Sequence, residues 1–201
     1  MKVGMILDAI YPSDARVTNE CEELIKNGHE IYLFCLSYQK NYIKSEIIND
    51  IKVRRYYCSS LIYKLSALAN DFPFYSISMK SKIKDFVLKN SIEKVHIHDI
   101  QIAKAAVAVC RKYNLKYVLD LHENRHEIMK SYKHVNSFFG KVLISVKRWK
   151  KAEEKYVSKA EKVIVVTNQA KREIIERCKI SNENVVVYPN TVRKSFYQNK
   201  D

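Results

Sequence analysis

Short apolar runs alternate with helical patterns along the whole chain, and this alternation restricts the fold more than any other feature of the sequence. The runs are rich in β-branched residues and short enough to be buried strands. Because helical patterns separate most of them, the order is that of βαβ units. The sequence therefore predicts an α/β fold with a mostly parallel sheet and helices on both faces. The predicted strands are 2–7, 31–36, 51–57, 94–98, 117–121, 163–167 and 185–188.

The helical patterns have recognisable ends. The first ends at Asn27-Gly28, a helix C-cap signal, and either Ser13 or Asp14 suits its N-cap. The segment 61–90 is expected to hold two helices divided near Pro73, because proline disrupts a helix interior. The remaining predicted helices are 15–26, 102–113, 137–158 and 169–178.

The net charge of +14, from 36 basic and 22 acidic residues, favours an anionic partner. Half of that charge lies in 130–162. With only three glycines, the chain has neither a G-x-G-x-x-G motif nor a P-loop, which argues against ordinary NAD binding or NTPase activity. No nucleic-acid motif accompanies the charge, so nucleic acid is not an expected partner.

The five cysteines are odd in number, widely spaced and without a C-x-x-C pair, as expected for reduced thiols in a cytoplasmic protein. The first residues lack the pattern of a secretory signal, and no apolar run approaches the length of a membrane span.

Polar residues follow the carboxyl ends of the predicted strands, where ligands bind in parallel α/β sheets. A turn alone would explain any one of them, because turns are polar. The first turn, DAIYPSDARV, also offers helix N–H groups and Arg16 for a phosphate, although a capped helix with a solvated arginine fits these residues equally well. The residues at these strand ends are Asp8, His98, Asp99, Asp120 to Glu123, Thr167, Asn168, Pro189 and Asn190.

Two histidine patterns suggest metal binding, and neither is complete. His96 and His98 form H-x-H on one strand, but the H-x-H-x-D-H pattern fails at Ile100 and Gln101. HENRH, from His122 to His126, matches H-E-x-x-H, which requires both histidines on one helix. Here a strand runs directly into the first histidine, so a zinc hydrolase is only an alternative.

Four ordered segments resemble the amino-terminal domain of glycosyltransferase family 4. They are YPSDARVTNECEELIKNGHEIYLF, KVHIHDIQIAKAAVAVCRKYNLKYVLDLHE, KAEEKYVSKAEKVIVVTNQAKREI and VVVYPN. The resemblance implies a Rossmann-like domain over residues 1–201, one half of a GT-B architecture. It also implies that the carboxy-terminal donor-binding domain is absent from this chain and that the domain alone is inactive.

The resemblance also implies a function and a site. The chain would bind the acceptor of a retaining glycosyltransferase, a glycan or lipid-linked sugar, in cell-surface polysaccharide synthesis. A nucleotide sugar would be the cosubstrate, with no cofactor and no metal required. His122 would be the catalytic residue. The substrate-binding residues would be Asp14, Arg16, His98, Asp99, Glu123 and Asn190. Many family members have a glycine-rich loop after the first strand, whereas DAIYPSDARV has no glycine.

The basic stretch between Phe138 and Lys155 has two interpretations. Its apolar residues fall near one helical face, which would suit an anionic membrane surface and a peripheral position at the inner face of the cell membrane. Alternatively, that face packs on the sheet and the charges are solvated. A further alternative for the whole chain is a non-catalytic docking module for a separate catalytic subunit or a membrane.

Overall fold

The computed structural model describes residues 1–122 and 145–190. In chain order, the described strands and helices are β1 (Lys2–Leu7), α1 (Ala15–Lys26), β2 (Glu30–Ser37), β3 (Ser45–Ile48), β4 (Ile51–Tyr57), α2 (Ser60–Lys64), α3 (Phe74–Lys89), β5 (Lys94–His98), α4 (Ile100–Lys112), β6 (Lys116–Leu121), α5 (Val146–Val157), β7 (Lys162–Val165), α6 (Asn168–Cys178) and β8 (Val185–Val187). Short 3₁₀ turns occur at Leu65–Leu68 and Asn182–Asn184.

One eight-stranded sheet runs through the domain in the order β3-β4-β2-β1-β5-β6-β7-β8. Every pairing is parallel except that of β3 with β4. The strand order reverses between β1 and β5, and the carboxyl ends of β1, β5 and β6 therefore meet at one edge. Ligands of open α/β sheets bind at such a reversal.

Helices cover both faces of the sheet, as the sequence predicted. A smaller core packs α1 against β1, β2 and β4 through Val17 and Cys21, both fully buried. A larger core on the opposite face packs α3, α4, α5 and α6 against the central strands. Its largest buried side chain is Trp149 of α5. Strands that are buried on both faces have nearly continuous apolar sequences, which is why their positions can be predicted from the sequence.

The structure corrects the predicted elements mainly at the edge of the sheet. The strand β3 was not predicted, because it is four residues long and half-exposed and carries little burial signal. This strand pairs antiparallel with β4. Asn49 and Asp50 connect the two strands, and their φ angles of 48° and 64° suit a tight hairpin turn. Within the described residues, α5 begins at Val146, and the earlier part of the predicted helix lies outside them.

Candidate active site

A cavity of about 170 Å³ opens at the carboxyl edge of the sheet. Four predicted site residues line it: Asp14, His98, Asp99 and His122. A larger cavity of about 610 Å³, between α4, α5 and the start of β6, shares none of its residues. We place the site at the smaller cavity because ionisable groups converge there, and volume alone does not identify a site. Its other lining residues are Leu7, Asp8, Ala9, Tyr63 and Gln101.

Strand alternation brings a set of polar side chains together beneath this cavity. Alternate residues of β5 and β6 pack in the larger core, so the residues between them, His96, His98 and Asp120, face α1. Arg16 and Glu20 lie one helical turn apart on α1 and form an ion pair with an N–O distance of 3.1 Å. All five side chains are buried.

Arg16 is the hub of this cluster. Its Nε and Nη2 atoms donate to the two carboxylate oxygens of Asp120, at 3.0 and 2.9 Å. Its Nη1 atom donates to the carbonyl oxygen of Tyr188 at 2.7 Å and to Oδ1 of Asn190 at 3.0 Å. The planar guanidinium suits this two-point contact with a carboxylate. Arg16 therefore joins α1, the end of β6 and the segment after β8.

The Asp120 carboxylate orients His122. Nε2 of His122 lies 2.9 Å from Oδ2 of Asp120, and Nδ1 of His98 lies 3.2 Å from the same nitrogen. Because an ionised carboxylate only accepts hydrogen bonds, Nε2 of His122 carries the proton. In the neutral imidazole Nδ1 is then an acceptor.

Opposing effects set the charges of these groups. Burial alone would raise the pKa of Asp120, but hydrogen bonds from His122 and His98 hold it well below its usual range. Burial works to lower the pKa of His122, but the hydrogen bond to Asp120 and the negative charges of Asp120 and Asp99 together outweigh burial and raise it. Burial lowers the pKa of His98 and of His96. At neutral pH Asp120 is therefore ionised and the two strand histidines are neutral.

Asp99 has an unusual backbone conformation at the same edge. Its φ and ψ are 75° and 150°, a region that is essentially restricted to glycine, yet it caps α4 by accepting a hydrogen bond from the N–H of Ile100 at 2.9 Å. Such strain costs on the order of 1–3 kcal/mol and concentrates at functional sites. This observation supports the predicted placement of Asp99 in the site.

Asp14 and Arg16 have structural uses that the phosphate hypothesis did not include. Asp14 is the N-cap of α1 and accepts from the backbone N–H groups of Arg16 and Val17 at 2.9 and 3.2 Å. The guanidinium of Arg16 is already bound to Asp120. The contacts of this helix start therefore agree with the capped-helix interpretation, with the arginine buried rather than solvated.

Asn190 and Glu123 are the two remaining site residues that the family resemblance implies. Asn190 reaches the cluster through Arg16. Glu123 and His126 lie outside the described residues. His122 follows the last residue of β6 directly, as the strand-end interpretation of HENRH predicted.

Sequence reasoning missed several residues of the site. Glu20 is i+4 from Arg16, and that spacing was the available signal for an ion pair. Tyr75 donates from its hydroxyl to the carboxylate of Asp8, and Gln101 donates to Ser66 Oγ at 2.6 Å. These two contacts have no sequence signal, because their partners come together only through the packing of α3 and α4.

Four buried groups lie close enough to resemble a metal site. Ligand atoms of Glu20, His96, His98 and Asp120 all lie within 4.8 Å of one another, so the structure supplies carboxylates that the H-x-H pair lacked in sequence. However, Nε of Arg16 lies within 3.1 Å of both carboxyl groups. A guanidinium thus already occupies the place of a cation beside them.

The described part of the basic helix packs on the protein. In α5, Trp149, Tyr156 and Val157 are buried in the larger core, and Arg148 on the exposed side pairs with Asp71 at 2.7 Å. For these residues the packing interpretation is confirmed, and Phe138 lies outside the description. None of the described helices has the length and apolar character needed to cross a bilayer.

Comparisons with known proteins agree with this fold. The family model described as Glycosyltransferase Family 4 matches residues 15–196. Among curated proteins, no sequence matches at a significant level. The chain is similar in structure to sucrose-phosphate synthase from Thermosynechococcus elongatus, with a TM-score of 0.64 and 14% identity over 96% of this chain and 48% of that one.

Two further solved structures show the same similarity. One, described as trehalose-6-phosphate from E. coli bound with UDP-2-fluoro glucose, has a TM-score of 0.57 and 12% identity over 89% of this chain and 42% of that one. The other is a structure of trehalose-6-phosphate synthase from a study of enzymatic glycosyl transfer with retention. It has a TM-score of 0.63 and 12% identity over 98% of this chain and 50% of that one. At such identities the similarity shows the fold alone, and the chain spans about half the length of these proteins.

Proposed function

The chain belongs to glycosyltransferase family 4, and from this membership we propose that it is the acceptor-binding half of a retaining enzyme that transfers a sugar from a nucleotide-sugar donor. The acceptor is a glycan or a lipid-linked sugar, and the pathway is cell-surface polysaccharide synthesis at the cytoplasmic side of the membrane. The second, donor-binding half is supplied by a further domain or by a separate subunit.

The contact between His122 and Asp120 carries this proposal. The Asp120 carboxylate fixes Nε2 of His122 as the protonated nitrogen, at 2.9 Å, and His122 lines the cavity where three strands end. Its side chain is 17% exposed, so a ligand in the cavity can reach a ring that the protein otherwise holds in place. An oriented imidazole at a ligand-accessible edge is what a sugar-binding catalytic residue requires.

The chemistry follows from the protonation of this ring. With Nε2 committed to Asp120, Nδ1 accepts a hydrogen bond from a sugar hydroxyl when the imidazole is neutral and donates one when it is protonated. We assign His122 to the transferred sugar and the cavity residues Asp14, His98 and Asp99 to the acceptor side. Neighbouring proteins support the donor class, since one of them is bound with UDP-2-fluoro glucose. Charge on the departing diphosphate would be stabilised by cationic groups and helix ends, without a required metal.

The test begins with the coding sequence downstream of codon 201, which shows whether a donor-binding domain follows. The complete protein, or this chain with its separate subunit, is then incubated with UDP-glucose, UDP-galactose, UDP-N-acetylglucosamine or GDP-mannose and a membrane extract as acceptor. Release of UDP or GDP that depends on the extract supports the proposal. His122→Ala is expected to lower this release about a hundredfold, while Glu23→Ala on the exposed side of α1 leaves it unchanged.

Other outcomes would favour the alternatives. Normal transfer by the His122→Ala protein would remove His122 from the chemistry and leave a docking role for the chain. Zinc bound in a one-to-one ratio and lost in His122→Ala and His126→Ala would indicate a hydrolase instead.

A further inference from the structure

Glu20 belongs to the buried cluster, but it is not among the site residues that the family resemblance implies, and the proposed chemistry does not use it. Its side chain is 7% exposed. Its Oε1 atom lies 3.1 Å from Nε of Arg16, and its Oε2 atom lies 3.6 Å from Nε2 of His96 and 3.9 Å from Nδ1 of His98. The carboxyl group therefore fills the space between the guanidinium and two histidine rings, which stack at 4.4 Å.

The charges of the cluster do not balance if both carboxyl groups are ionised. Arg16 supplies one positive charge to Asp120 and Glu20 together, and a buried unpaired carboxylate is costly. Asp120 accepts two hydrogen bonds from Arg16 and one from His122, all of which favour its ionised form. Neither oxygen of Glu20 has a hydrogen bond of good geometry. Of the two carboxyl groups, Glu20 is therefore the one on which a proton costs least.

We propose that Glu20 is a positioning residue for His122: as a neutral carboxylic acid it places a hydrogen-bond donor beside Asp120 and keeps that carboxylate directed at the imidazole. An ionised Glu20 would compete for Arg16 and repel Asp120. A neutral one leaves both hydrogen bonds of the guanidinium to Asp120 in place. The importance of this positioning for transfer rests on the proposed function, whereas the positioning itself is measurable in the chain alone.

The surroundings of Glu20 support a bound proton. Burial first, and then the negative charge of Asp120, raise the pKa of Glu20 to about 9, although Arg16 works in the opposite direction. The ionisable groups that face Glu20 are Arg16 of α1 and its N-cap Asp14, His96 and His98 of β5, Asp120 of β6 with His122 just after that strand, and Tyr188 after β8.

Two substitutions separate positioning from space filling. Glu20→Gln keeps the shape, the neutral charge and a hydrogen-bond donor, and Glu20→Leu keeps only the bulk. The matched controls are Glu23→Gln and Glu23→Leu, at a position whose side chain is 61% exposed on the same helix. For each protein, ¹⁵N NMR of the imidazoles in the 201-residue chain gives the titration midpoint and the tautomer of His122, with circular dichroism as the check on folding.

We expect Glu20→Gln to leave the midpoint and the single Nε2–H tautomer of His122 unchanged, and Glu20→Leu to give a mixture of tautomers. A midpoint that falls in Glu20→Gln would mean that an anion had been removed, and it would overturn the neutral carboxyl. An unchanged tautomer in folded Glu20→Leu would show that Glu20 only fills space. If Glu20→Leu does not fold, the titration midpoint of His122 in Glu20→Gln still tests whether the Glu20 carboxyl group is neutral.

The transfer assay adds the functional consequence. In the complete protein, Glu20→Gln should transfer within about twofold of wild type, and Glu20→Leu should lose about tenfold to a hundredfold, because a small misplacement of a catalytic group is costly. Equal transfer rates for the Glu20→Gln and Glu20→Leu proteins would contradict the proposal. Normal transfer by His122→Ala would refute the assignment of His122 while the NMR result on Glu20 remained valid.

Discussion

Nε2 of His122 lies 2.9 Å from Oδ2 of Asp120, so a ring that reaches the cavity is held by a carboxylate that is completely buried. In the proposed function the accessible His122 ring carries the chemistry, and the buried Asp120 carboxylate orients it.

Asp120→Asn should lower the pKa of His122. The hydrogen bond to the Asp120 carboxylate is the largest effect that raises this pKa, and burial, which lowers it, would remain. An NMR titration of the histidine rings should therefore show a midpoint below that of wild type. Asp50→Asn, in the exposed turn before β4, is the control. An unchanged midpoint would mean that His122 does not depend on Asp120.

Arg16→Met should destabilise the fold by about 3–5 kcal/mol, the cost of removing one partner of a buried ion pair. The loss leaves Asp120 without its charge partner and releases the contacts to Tyr188 and Asn190. Urea unfolding gives the free energy of unfolding. Arg172→Met on the exposed side of α6 should change that free energy by no more than about 0.5 kcal/mol. Similar values for the two substitutions would refute the role of Arg16 as the hub.

Asp99→Gly should be more stable than Asp99→Ala by about 1–2 kcal/mol. Both substitutions remove the cap on the N–H of Ile100, but only glycine adopts a φ of 75° with ψ of 150° without strain. The stability difference is obtained from thermal unfolding of the two variants under identical conditions. If alanine were equally stable, the backbone at position 99 would not be strained.

Stability should fall as pH rises, and Glu20 should be part of the reason. The folded chain holds the Glu20 proton up to a pH of about 9, whereas the unfolded chain releases it near the ordinary value of 4.5. Between these values the folded state binds more protons, so each pH unit favours unfolding by up to about 1.4 kcal/mol.

Glu20→Gln has no proton to release, so its free energy of unfolding should decline less steeply over the same window. Any loss from His122, whose raised pKa acts in the same direction above its ordinary value of 6.5, is common to both proteins and cancels. Parallel slopes in urea unfolding at pH 5, 7 and 9 would show that Glu20 is ionised in the folded state.

The sequence predicted the layers of the fold because they depend on local patterns. The bounds of β1, β4, β5 and α1 agree with the structure, since each is a buried or amphipathic segment ended by polar residues. The strand β3 was missed because Ile47 on it is 68% exposed and the strand has no buried face to give a pattern.

The sequence predicted the position of the candidate site but not the contacts among its residues. The strand-end rule and the family resemblance predicted a site with His98, Asp99 and His122, and in the structure these residues line one cavity. The partners of Arg16 and the burial of Glu20 depend on residues about a hundred positions away in sequence, and no local pattern encodes such a contact. A charged residue on an amphipathic helix is usually solvated, so burial of this pair had no signal in the sequence.

The contacts of Arg16 have a consequence for the order of folding. They join Arg16 to Asp120 and to Tyr188, which lie 104 and 172 positions further along the sequence. Closing loops of that length costs entropy that local contacts do not offset. The sheet must therefore be assembled as far as β8 before the guanidinium can meet its partners. We expect the edge that holds the candidate site to be among the last parts of the domain to form, so that a chain with this edge ordered has already completed its fold.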